Sequence, residues 1–220
     1  LPPAPFEAEP ERDDFNGPVL SGHWNALRVP FSEDWASLRA RPGHLRLIGR
    51  ESLMSLFDQS LVARRQQHFR CEAETLVDFE PTSFQQTAGL VAYYNTQNHA
   101  YLHLTHDEER GGRVLRLSVN DDGKLREAAA PIAVGDVPRV WLKLRFDGEA
   151  LRFSYALAEG DWRPIGETLR AAMLSDEYAT RFDDGFARSF GFTGNYTACE
   201  RARANLDGRG RVLQGEITVL

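Results

Sequence analysis

The residues of this chain that could do chemistry crowd into residues 64–103. Arg64, Arg65 and His68 are followed by Glu72, Glu74, Asp78 and Glu80, then by Tyr93, Tyr94, His99, Tyr101 and His103. Acid–base hydrolysis of a glycoside needs two carboxyl groups held across the scissile bond. Glu72 and Glu74 are two residues apart, so an extended strand sets both on one face. The remaining acidic clusters are Asp13-Asp14, Glu108-Glu109, Asp121-Asp122 and Asp183-Asp184, mostly near glycine. Aspartate there caps its own backbone in a turn. Lectin-like sandwiches that cleave β-glucans carry Glu-x-Asp-x-x-Glu along one strand. Glu-x-Asp occurs at Glu11-Arg12-Asp13 and Glu159-Gly160-Asp161, but the closing position holds Asn16 or Pro164. No residue of this chain is therefore assigned a catalytic role.

His99 and His103 share a strand face, but zinc needs a third ligand such as His68 or His106, and a continuing strand turns His106 to the other face. No metal is assigned. A structural calcium stays open, with oxygen donors drawn from Asp13, Asp14 and Glu216. Neither a nucleophile elbow nor a phosphate-binding glycine loop is present. Trp24, Trp35, Trp141 and Trp162, with Tyr93, Tyr94 and Tyr101, could stack on sugar rings. Alternation turns Trp141 outward. Arg65, Glu72, Glu74, Tyr93 and Trp141 are accordingly the candidates for a sugar-facing surface or a domain interface.

The elements that must position these residues are strands. Val140, Leu142, Leu144 and Phe146 alternate with Arg139, Trp141, Lys143 and Arg145, and Leu151, Phe153, Tyr155 and Leu157 resume the pattern after Asp147-Gly148. That is a hairpin. Leu115, Leu117 and Val119 predict a half-buried strand ended by Asp121-Asp122-Gly123. Cys71, Ala73, Thr75, Val77 and Phe79 form one face of a longer strand, with Arg70, Glu72, Glu74 and Asp78 opposite. Strands follow over 90–94 and 100–105. A short helix is expected over 171–179. The whole predicts an all-β, two-sheet antiparallel sandwich over residues 13–220. Residues 1–12, opening Leu1-Pro2-Pro3-Ala4-Pro5, read as a linker from a missing N-terminal domain.

A chain of 220 residues with net charge -6 and no membrane-length apolar run argues against nucleic acid or a membrane as partner. Cys71 and Cys199 show no ligand spacing and read as reduced thiols, which leans towards a reducing, cytoplasmic setting.

A resemblance enters at Asp13-Asp14-Phe15-Asn16-Gly17, Arg41-Pro42-Gly43-His44, Arg64-Arg65-Gln66-Gln67-His68-Phe69, Val77-Asp78-Phe79-Glu80-Pro81, Tyr93-Tyr94-Asn95 and Gly191-Phe192-Thr193-Gly194. In this order they resemble the C-terminal domain of family 43 β-xylosidases and α-L-arabinofuranosidases. The resemblance implies a concanavalin A-like (jelly-roll) sandwich that is not itself catalytic. Its partner would be an N-terminal five-bladed propeller that carries the carboxylates and cleaves O-glycosyl bonds of xylo- or arabino-oligosaccharides. It also implies a sandwich loop that narrows the propeller's pocket, here with Phe192 and Tyr196, the latter replacing a family Phe. After Gly194, over 195–220, the chain departs from the family pattern. Two other readings stay open: an independent xylan-binding module using Trp141 and the tyrosines, and a structural domain for homo-oligomer assembly.

Overall fold

The computed structural model describes residues 12–179 and the strands 196–202 and 214–219, these last two as backbone. In chain order the first eight strands are β1 (Asn25–Ala26), β2 (Ala36–Ser37), β3 (Leu45–Ile48), β4 (Leu61–Arg65), β5 (Arg70–Asp78), β6 (Thr87–Asn95), β7 (Asn98–Asp107) and β8 (Gly112–Asp121). After them come β9 (Lys124–Glu127), β10 (Ile132–Ala133), β11 (Arg139–Asp147), β12 (Ala150–Ala156), β13 (Arg163–Arg170), β14 (Tyr196–Ala202) and β15 (Gln214–Val219).

They form two antiparallel sheets. Sheet A runs β1-β4-β14-β6-β7-β8-β10 with β9 paired to β8, and sheet B runs β13-β12-β11-β5-β15-β3-β2. The predicted hairpin is β11–β12, with Asp147 opposite Ala150 across the turn. The β8–β9 turn uses Asp122 at φ 53° and Gly123 at φ 78°. This left-handed pair matches the twist of the strands it joins.

Alternation sends Leu90, Ala92, Leu102, Leu104, Leu115 and Leu117 of sheet A and Val77, Val140, Leu142, Leu144, Phe146 and Phe153 of sheet B into one shared core. Each Val, Leu or Phe among them stabilises the fold by about 1.5–3 kcal/mol through removal from water. The helix expected over 171–179 is split. A 3₁₀ turn over Ala171–Leu174 buries Met173 and Leu174, Ser175 is extended, and one helical turn follows over Asp176–Ala179. Anchoring Met173 and Leu174 in the core outweighs continuing a helix too short to be stable alone.

The segment after Gly194 departs from the family pattern, yet it supplies an interior strand to each sheet. β14 lies between β4 and β6, and β15 between β5 and β3. The neighbouring ladders are open along their middle without them, so their main-chain groups complete the pairing of both sheets.

Candidate functional site

Sheet A brings three of the candidates together. Tyr196 pairs with Arg65 on one side and with Tyr93 on the other, and Tyr93 pairs with His99. Positions 65, 196, 93 and 99 thus form one row across the outer face of sheet A. The side chain of Tyr196 and all of Phe192 lie outside the described residues, so the pocket loop implied by the resemblance is located only through this register.

The next rows of that face are apolar. Leu61, Ala63, Val91, Tyr93 and Tyr101 form a second buried cluster with Leu53, which reaches over from the 49–60 connection. Leu27 packs against it as well. His99 and His103 complete the face as aromatic neighbours. The Tyr93 and His99 rings stack at 5.8 Å, and Tyr101 and His103 at 4.5 Å. Gly89 sits opposite His103, where an added Cβ would lie 2.0 Å from the Leu102 carbonyl oxygen and 2.6 Å from His103 Cα. Burial pushes both imidazoles down to about 4, against the pull of the Asn95 carbonyl on His99 and the Tyr101 carbonyl on His103. Arg116 lowers His103 further. They are neutral, packed histidines. Among the described residues no three His, Cys, Asp or Glu side chains converge as metal ligands.

Two of the candidate groupings need correcting. Glu72, Glu74 and Trp141 belong to sheet B, so Arg65 does not share a face with Glu72 and Glu74, and Trp141 does not share one with the tyrosines. Tyr93 is only 1% exposed, and its ring packs on His99 instead of facing a sugar. Alternation within a strand tells which residues share a face, but the strand's sheet depends on where the chain crosses over. β4 and β5 are four residues apart and lie in different sheets.

On the outer face of sheet B the charges pair across strands. Lys143 Nζ stands 3.0 Å from Glu74 and 3.8 Å from Glu72, and Arg145 reaches Glu72 at 3.5 Å. Lys143 also lies 3.8 Å from the Trp162 ring centroid. Asp78 takes Arg41 at 3.0 Å and Arg139 at 3.3 Å. With Lys143 between them, Glu72 and Glu74 leave no gap in which a glycosidic bond could sit. Trp141, half-buried, lies on this face beside Lys143.

The other acidic candidates cap turns. Asp13 accepts hydrogen bonds from Trp24 Nε1 at 2.7 Å and from the Phe15 amide at 2.9 Å. Asp14 accepts one from the Asn16 amide at 3.1 Å, and Asn16 holds its carboxyl below the usual carboxylate range. Both line an open cavity of about 490 Å³ with Arg12, Phe15, His23 and Arg64. Adjacent aspartates bonded to their own turn do not bracket a substrate. Glu216, the other calcium candidate, is described as backbone only, between Arg46 and Asp78.

The feature that the residue patterns did not reveal is the 49–60 connection. Its signal was present as Glu51, Ser55 and Gln59, polar residues spaced to tie a loop to itself, but only the fold shows which face it covers.

Comparison with known proteins places this geometry. The family described as β-xylosidase C-terminal concanavalin A-like domain matches residues 12–199. A β-xylosidase of Bacillus subtilis is 41% identical over 181 residues, 81% of this chain and 34% of that protein. A xylan 1,3-β-xylosidase of a Vibrio species is 38% identical over 90% of this chain and 35% of its own length. The solved xylan β-1,4-xylosidase of Bacillus halodurans superposes with a TM-score of 0.88 at 41% identity, covering 100% of this chain and 40% of that one. The chain thus spans about a third of the length of the curated relatives it matches.

Proposed function

Because the chain belongs to the family of β-xylosidase C-terminal concanavalin A-like domains, we propose that it is the non-catalytic accessory domain of a β-xylosidase-type glycoside hydrolase. Its partner is a separate five-bladed propeller domain that holds the acid and base. Its substrates are xylo- or arabino-oligosaccharides. One observation carries this reading: a match covers 81% of this chain but only 34% of the Bacillus subtilis relative, leaving most of such a protein's length for the chemistry. The carboxylates agree with it, since Glu72 and Glu74 are bridged by a lysine and Asp13 and Asp14 are tied into turns. On this reading Phe192 and Tyr196 belong to the segment that narrows the propeller's pocket, with Tyr196 at the first position of β14, between Arg65 and Tyr93 in the row.

The covered outer face of sheet A counts against an independent xylan-binding module built on the tyrosines, because Leu53 and Leu27 pack over Tyr93 and Tyr101 there. The deciding experiment is an assay of the purified chain on aryl β-xylosides and aryl α-L-arabinofuranosides. No product is expected. Turnover at roughly 1 s⁻¹ or faster, the range of ordinary enzymes, would overturn the reading.

A further inference from the structure

The loop that covers sheet A carries an apolar outer surface of its own. Met54, Leu56 and Phe57 are 52%, 58% and 72% exposed. Single exposed apolar residues are ordinary, but three large ones within four positions of one loop mark an interaction surface.

The loop is also held firmly. Its neck is closed by the Glu51 amide donating to the Asp58 carbonyl at 2.9 Å. The Glu51 carboxylate accepts from the Ser55 hydroxyl and from the Asp58 amide, and Ser55 Oγ accepts from the Phe57 amide at 3.0 Å. Beneath it the buried Gln59 amide donates to the carbonyls of Leu53 at 2.6 Å and Ser55 at 2.7 Å. Leu53 points down into the aromatic cluster, while Met54, Leu56 and Phe57 stay at the surface. A polar network anchored on a buried, satisfied glutamine holds the loop in one conformation. The ordering cost that a binding loop would otherwise meet on association has thus been met on folding.

The chemistry selects the kind of partner. Met and Phe are enriched at the cores of protein interfaces. A sugar is dense in hydroxyls, and these three side chains offer it neither strong donors nor strong acceptors. The extent of the surface selects further. A stable association between separate chains buries about 800 Å² per partner, more than three side chains supply. A domain on the same polypeptide meets the surface at high effective concentration, so a small patch suffices. The Bacillus subtilis relative has about two-thirds of its length outside the matched segment, since 34% is covered.

We propose that Met54, Leu56 and Phe57 form a preformed docking surface for the catalytic domain of the parent enzyme. This rests on the accessory-domain reading above. The test is site-specific photocrosslinking in the intact parent protein, with benzoylphenylalanine in place of Phe57 and, in a second preparation, in place of Tyr196. Crosslinked peptides from position 57 are expected to map to the catalytic domain. The double substitution Met54→Ser and Leu56→Ser should lower that yield several-fold and leave the melting of the isolated chain almost unchanged. Crosslinks that map only to a second copy or within residues 1–220, or no crosslink at all from position 57, would overturn the docking surface. If position 196 still reaches the catalytic domain in that case, the accessory-domain reading stands. Failure from both positions, with the label shown to be incorporated, would overturn both.

Discussion

On the outer face of sheet A, Tyr93 and Tyr101 pack with Leu53 and Leu27 and are buried together with His99 and His103, whereas on the outer face of sheet B, Glu72, Glu74, Lys143 and Arg145 reach the water. Both faces arise from the same two-residue alternation, and both carry ionisable side chains. What separates them is a loop. Once the 49–60 connection folds over sheet A, that face becomes a second core, in which side chains contribute through packing and charge is costly. The outer face of sheet B is held by partly exposed ion pairs, each worth about 1 kcal/mol or less where water and salt screen it. The face with more charge is therefore the one that contributes less to stability.

The strongest way to break this contrast is at Gly89. A Cβ there would stand 2.0 Å from a backbone oxygen of the neighbouring strand, which no rotamer change relieves. Gly89→Ala should cost more than about 4 kcal/mol, the range of exceptional single substitutions, and leave the chain largely unfolded by circular dichroism. A variant that melts like the wild type would mean that β6 and β7 are not packed as tightly as described.

Acid should attack sheet A before sheet B. His99 and His103 titrate near 4 in the folded chain, lowered from 6.5 by burial. With a depressed folded value, the unfolded chain binds protons first. Stability is thus full above about pH 7, falls as pH drops through 6.5, and reaches its limit below 4. Each histidine then removes on the order of 3 kcal/mol. Urea unfolding across this window should show the loss. The double variant His99→Gln and His103→Gln should flatten the wild-type slope between pH 6.5 and 4. Equal slopes in the two proteins would place the histidines in water.

Leu53→Ala isolates the lid itself. It removes the side chain that seats the loop on Tyr93 and Tyr101, and should cost about 2–3 kcal/mol, towards the low end for buried leucine because a loop can partly collapse. The same variant should raise amide exchange at Val91 and Tyr93. Unchanged stability and exchange would mean that the loop does not cover the face.

How much of this was legible beforehand depends on range. The β11–β12 hairpin, the Asp121-Asp122-Gly123 turn and the inward set Val140, Leu142, Leu144 and Phe146 were readable, because turn chemistry and alternation are local. The shared face of His99 and His103 was readable for the same reason. The separation of Arg65 from Glu72 and Glu74 was not. Alternation carries no label for the sheet, and the crossover between β4 and β5 is decided by packing far away in sequence. Nor was the burial of Tyr93, since its cover comes from Leu53, forty positions earlier. The interior placement of β14 and β15 was missed because departure from a family's side chains says nothing about main-chain pairing, which any residue but proline can supply.

The smallest expected effect is also the sharpest control. Glu74→Gln removes one carboxylate from the Lys143 ladder while keeping its shape. Lys143 retains Glu72 at 3.8 Å and the Trp162 ring at 3.8 Å, so no charge is stranded. About a third of the Glu74 side chain is in water, where solvent and salt screen the pair. The loss should be under about 1 kcal/mol at low salt and vanish at high salt, read from paired urea titrations. A loss as large as that of Leu53→Ala, and insensitive to salt, would show that sheet B is covered as well, and the contrast between the two faces would fail.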